Sequence, residues 1–128
     1  MSNYKRKIWN ERNSSDGINH RVESGELVHY VDIKEDSFLY SIIKESHFMV
    51  NSLHNFHALS NDYYDIVGYS EDGLIEAIEY SKNTFNIGVQ WHPEKNYTTC
   101  ITSRRLIESF VNYALKYKAS IKLHMQFN

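Results

Sequence analysis

At 128 residues, 41% hydrophobic and 23% charged, the chain has the size and residue usage of one globular unit, which excludes a disordered or fibrous architecture. A net charge of -2 and a pI near 6.4 exclude the basic footprint of a nucleic-acid binder or of a protein held on an anionic membrane surface. The apolar runs fall far short of the roughly 20 residues that span a bilayer, residues 1–19 lack a signal-peptide pattern, and the single Cys100 cannot form an internal disulfide, so a cytoplasmic chain is expected.

In chain order, Met1 to Asn19 is polar, carries Lys5, Arg6, Lys7 and Arg12, and closes on the turn signal Ser14-Ser15-Asp16-Gly17; it reads as a loop or leader. Alternation of Leu27, His29, Val31 and Ile33 predicts a short strand. Asp36 and Ser37 supply N-cap oxygens for a brief helix through Phe38, Leu39, Ile42 and Ile43. His47 to Val50 reads as a strand, and the polar stretch Asn51 to Asn61 as a loop. Tyr64–Tyr69 and Leu74–Tyr80 flank Asp72-Gly73, a pair able to adopt the positive φ of a turn, and predict an antiparallel hairpin. Glu76 and Glu79 have opposite parity in the second arm, so the buried face is not legible. Lys82-Asn83 marks a turn, after which Phe85, Ile87, Val89 and Trp91 alternate in a strand ending at His92. Leu106, Ile107, Phe110, Val111, Ala114 and Leu115 are spaced as the apolar face of a helix, opposite Arg104, Arg105, Glu108 and Asn112. Residues 118–128 read as a poorly anchored tail.

His92-Pro93-Glu94 is the segment that carries chemistry. Proline disfavours the α region for His92, so the tripeptide is expected to run extended and to present the His92 imidazole and Glu94 carboxylate on one side. A carboxylate bound to one ring nitrogen fixes the tautomer and leaves the other nitrogen to accept a proton. An isolated His-Pro-Glu is a weak signal, and a histidine at a loop start beside a solvated glutamate is the commoner meaning of such a tripeptide. His54 and His57 form a His-x-x-His pair that could join His92 around a metal, but no acidic or cysteine ligand has supporting spacing, and two solvated loop histidines are expected instead.

Longer strings resolve this. GVQWHPE at Gly88–Glu94 resembles the signature that ends class I glutamine amidotransferase domains. VNSLHNFHA at Val50–Ala58 is similar to that family's VNSxHxQ segment, and EDGLIEAIE at Glu71–Glu79 to its DGxIEAxE hairpin. SRRLIESFV at Ser103–Val111 resembles its closing helix, and His20-Arg21 an HR pair that opens this half in one branch. Order and spacing agree over residues 20–117, and the branch it most resembles is the gamma-glutamyl hydrolases, including those acting on gamma-glutamyl-gamma-aminobutyrate.

The resemblance implies an α/β fold, the C-terminal half of a flavodoxin-like three-layer domain bearing an antiparallel hairpin. It implies a thiolate attacking a γ-glutamyl carboxamide, with His92 as base, Glu94 orienting it, Asn51, Ser52 and His54 near the bound γ-glutamyl group, and no cofactor. The family's Gly-x-Cys-x-Gly elbow has no counterpart in the 128 residues; Cys100, in NYTTCITSR, lacks flanking glycines and reads as an ordinary residue near a helix start. The chain alone is therefore expected to be inactive. It remains open whether it is a remnant, a non-catalytic binding or regulatory module, or half of a split enzyme completed by a second chain. Lacking half a domain, it is expected to expose apolar surface and to self-associate.

Overall fold

The computed structural model describes residues 9–11, 18, 19, 21–53, 56–58, 63–80, 85–117 and 122–124, with side chains described throughout except in 9–11, 56–58, 117 and 122–124. The expected turn at Lys82-Asn83 lies outside these residues. The strands are β1 (Trp9–Glu11), β2 (His29–Ile33), β3 (His47–Val50), β4 (Phe56–Ala58), β5 (Asp65–Ser70), β6 (Ile75–Glu79), β7 (Asn86–Val89) and β8 (Lys122–His124). Helix α1 is Phe38–Ile43 and α2 is Ile101–Tyr117, with a 3-10 turn at Pro93–Lys95. These eight strands join one sheet in the order β1-β4-β6-β5-β2-β3, and β7 branches from β6 and carries β8. Among the described residues every strand pairing is antiparallel except the parallel β7–β8 pair.

The α/β architecture and its hairpin are as expected, and the locally encoded elements coincide with their sequence signals. Gly73 has φ +85 in the β5–β6 turn, which a glycine adopts without steric cost. Ser37 is extended and its Oγ accepts from Tyr40 N at 3.0 Å, the N-cap of α1. Three readings are corrected. The polar leader contains β1, the loop Asn51–Asn61 contains β4, and the tail contains β8. Each of these strands has three residues and is defined by a partner distant in sequence, so no local period announces it.

The core lies on one face of the sheet. Val31, Ile33, Val67, Ala77, Phe85, Ile87, Val89 and Trp91 pack there with Leu39 and Ile43 of α1 and Leu106 of α2, and Phe110 and Tyr113 close the edge. Tyr64, Ile75 and Ile78 form a smaller cluster with Ile66. The parity problem in β6 has a physical origin. Ile66 pairs with Ile78, Gly68 with Ala77 and Tyr69 with Ile75, so Val67 and Glu76 are each an extra residue, and the two bulges restore the register. Ile75 thereby joins Ile78 in the small cluster, while Ala77 belongs to the main core. Gly68 permits the close approach at the bulge: a Cβ there would stand 2.8 Å from Ile33 Cδ1.

The α2 face is also shifted from its expectation. Thr102, Ser103 and Leu106 are buried, whereas Val111 and Leu115, placed on the apolar face by spacing, are exposed, Leu115 at 76%. The helix buries its first turns against α1, where Arg105 Nη1 donates to Ile43 O at 2.9 Å, and farther along Phe110 and Tyr113 stay on the core while Val111 and Leu115 face outward.

Glu79 explains why six residues suffice for α1, a length that is unstable in isolation. Phe38 N and Leu39 N donate to its two carboxylate oxygens at 3.0 and 3.1 Å, so the last residue of the hairpin caps a helix some forty residues earlier. Glu79→Ala is expected to destabilise the chain by about 1–3 kcal/mol, since it orphans two helix-end donors. Glu79→Gln, which keeps one acceptor, should recover part of that loss. Urea midpoints of the three chains check this, and an unchanged midpoint in the alanine chain would contradict it.

Candidate active site

β7 and β3 are not paired in the sheet, but the residues that follow them meet and assemble the site. Beyond Val89, Gln90 N still donates to Glu76 O at 2.8 Å, Trp91 packs edge-on against Phe48 of β3 at 5.8 Å, and His92 follows with only 2% of its surface exposed. His92 has φ -114 and ψ 82, outside the α region as Pro93 requires. The extended course expected through Glu94 is corrected: Pro93–Lys95 is a 3-10 turn, closed by Lys95 N donating to His92 O at 3.1 Å. The restraint that proline exerts falls on the preceding residue, and its own φ suits the first position of a helical turn. That turn still brings the two side chains together. His92 Nδ1 lies 2.7 Å from Glu94 Oε2, and Nε2 lies 3.3 Å from Leu53 O. Against an ionised carboxylate Nδ1 is the donor, and Nε2, which can bond the Leu53 carbonyl only while it carries a proton, is the nitrogen that gives and takes one.

The residues that follow β3 turn toward His92 and toward the chain before β2. Asn51 is 2% exposed and spends its amide on the main chain of His92: Nδ2 donates to His92 O at 2.9 Å and Oδ1 accepts from His92 N at 2.7 Å. Ser52 is buried, and its carbonyl accepts from Val22 N at 2.6 Å. Leu53, unmarked by any sequence signal, forms a bridge with Arg21 and turns its carbonyl to the His92 ring. His54 lies outside the described residues, as does the side chain of His57. Among the described residues no group of three or more His, Cys, Asp or Glu is placed to hold a metal ion.

A buried polar pair behind the site also escaped sequence reasoning. His29 Nε2 and Glu76 Oε2 stand 4.0 Å apart with both side chains essentially inaccessible, and His29 Nδ1 lies 3.0 Å from Tyr30 O. His29 alternates like any strand residue and the parity of Glu76 leaves its face undecided, so only the bulge and its pairing expose them as neighbours.

Cys100 is partly buried, immediately before α2. Burial pushes its thiol up, but hydrogen bonds with the Thr102 hydroxyl, 3.2 Å from Sγ, and with Ser103 and the Thr102 backbone outweigh it and hold the thiol below its ordinary value. Because the folded value lies under the unfolded one, the thiolate favours the folded state above the unfolded value, and that contribution is lost as pH falls through the folded value. Alkylation of Cys100 by iodoacetamide should therefore rise at lower pH in the native chain than in the urea-unfolded chain. Superimposable profiles would contradict this.

The peptidase C26 family profile matches residues 3–94, which spans the hairpin, β7 and the His92–Glu94 pair. The chain belongs to the peptidase C26 family. The match begins within the segment read as a leader, seventeen residues before the resemblance drawn from motifs, and agrees with the placement of β1 in the sheet. The gamma-glutamyl-gamma-aminobutyrate hydrolase of Escherichia coli strain K12 is 39% identical over 85 residues, 65% of this chain and 34% of that protein. The chain thus spans about a third of the length of the curated relatives it matches. A Thermoplasma acidophilum protein described as part of a GMP synthase superposes with a TM-score of 0.57 at 16% identity, covering 80% of this chain and 51% of its own. A glutamine amidotransferase from Thermotoga maritima matches at a TM-score of 0.46 and 21% identity, covering 81% and 44%. Membership of the C26 family accounts for the hairpin, β7 and the His92–Glu94 motif together. No described helix is long and apolar enough to cross a membrane.

Proposed function

We propose that this chain supplies the proton-transfer half of a γ-glutamyl amide hydrolase, with His92 as base and Glu94 as its orienting carboxylate, and that the 128 residues alone do not hydrolyse. The observation that carries this reading is the 2.7 Å contact between His92 Nδ1 and Glu94 Oε2 on an almost fully buried ring. A ring buried on the sheet's end with a carboxylate against Nδ1 is the arrangement a base and its orienting group require. The nucleophile comes from a Gly-x-Cys-x-Gly elbow outside these 128 residues, because Cys100 sits at the α2 N-terminus, bonded to Thr102, without the flanking glycines of an elbow.

In the assembled site His92 Nε2 takes the thiol proton and the thiolate attacks the γ-carbonyl of glutamine or a γ-glutamyl amide. The tetrahedral intermediate expels ammonia or the amine with the proton returned from Nε2, and water then releases glutamate from the thioester. Purified chain incubated with glutamine and with gamma-glutamyl-gamma-aminobutyrate is expected to release neither ammonia nor amine. Addition of a polypeptide carrying the elbow should restore release, except with His92→Ala. Release by the chain alone that disappears in Cys100→Ser would overturn the assignment of the nucleophile to an elbow outside these residues.

A further inference from the structure

We infer that Asn51 is a positioning residue whose amide clamps the main chain of His92, and that its ligand is the histidine itself and not a substrate group. β7 ends at Val89, and the last backbone bond tying its extension to β6 is Gln90 N to Glu76 O. His92 therefore stands two residues beyond that last bond. Asn51 takes a strand's place: one donor and one acceptor meet the carbonyl and the N–H of the same residue, at 2.9 and 2.7 Å, as in a hydrogen-bonded pair of an antiparallel ladder. With His92 O also accepting from Lys95 N, the main chain is held on both sides of the Cα from which the ring projects.

The clamp is specific to asparagine. Its amide carries a donor and an acceptor at a separation that suits one residue's C=O and N–H. Aspartate would set a second acceptor against the His92 carbonyl, and alanine would orphan the buried His92 N–H and take one of two donors from its carbonyl. The same short segment also governs the ring, because Leu53, two residues on, places its carbonyl 3.3 Å from Nε2. The catalytic meaning of the clamp rests on the proposed role of His92, whereas its existence does not.

Hydrogen exchange and nitrogen-15 spectra of the labelled full chain test it without an activity measurement. In Asn51→Ala, and in Asn51→Asp at neutral pH, exchange of the His92 backbone amide is expected to accelerate by about tenfold more than that of core amides such as Val31 and Ile87. The His92 ring nitrogens should shift with it. Acidification of the aspartate chain should reverse both effects, since a protonated carboxyl regains the missing donor; this variant decides the matter if the alanine chain does not fold. Unchanged His92 signals in either folded variant, or acceleration no greater than at Val31 and Ile87, would overturn the inference. A clamp confirmed in this way, with no hydrolysis on adding the elbow polypeptide, would sink the proposed function and leave the positioning role standing.

Discussion

In a reconstituted mixture that hydrolyses γ-glutamyl amides, Glu94→Gln is expected to lower turnover by about 10⁴-fold. The carboxylate accepts from His92 Nδ1 at 2.7 Å and thereby leaves Nε2 unprotonated in the neutral ring. A glutamine at the same position can turn its NH₂ toward Nδ1, which moves the ring proton to Nε2 and removes the lone pair that takes the thiol proton. Geometry is preserved and chemistry is lost. His92→Ala should cost at least as much, because members of a catalytic unit fail together, and the double variant should be little worse than either single one. Rates of ammonia release from the four mixtures check this. Additive losses, or a Glu94→Gln mixture within tenfold of the parent, would show that the pair does not act as an orienting carboxylate and a base.

Phe85→Ala is expected to destabilise the chain by about 3–5 kcal/mol. Its ring is fully buried at the junction of the sheet with both helices, with centroids 5.8 Å from Phe38 of α1 and 5.7 and 5.3 Å from Phe110 and Tyr113 of α2. Truncation to alanine removes the apolar transfer energy, leaves a cavity that three aromatic neighbours are too rigid to fill, and forfeits their edge contacts. Small domains carry roughly 5–15 kcal/mol in all, so the alanine chain should lose a large share of its stability and its urea midpoint should fall accordingly. Phe85→Leu, which keeps most of the volume, should cost well under half as much. A loss under about 1 kcal/mol for alanine in urea titrations would show that α1 and α2 do not pack on this ring as described.

Several elements are legible in the order of residues because their signals are local. Ser37 before the apolar run Phe38–Ile43 specifies a cap and a helix, and Asp72-Gly73 between two apolar arms specifies a turn. His47–Val50 matches its strand end to end. The strings around His92 and Asp72 likewise point to the family, since the order of residue types carries that signature whatever the chain's path in space. The 2.7 Å approach of His92 to Glu94 is expected from an extended chain, and a 3-10 turn brings it about instead.

Contiguous residues thus specify the family, the hairpin, the capped helix and the identity of the histidine and glutamate. Everything else waits on long-range packing. The paired bulges at Val67 and Glu76 set which residues of β6 meet which core, Glu79 caps a helix some forty residues earlier in the chain, and the short strands β1, β4 and β8 exist only by virtue of their partners. Asn51 meets His92 across forty-one positions of chain. In every such case the interaction energy belongs to a pairing between distant segments, and a pairing leaves no period in either segment alone.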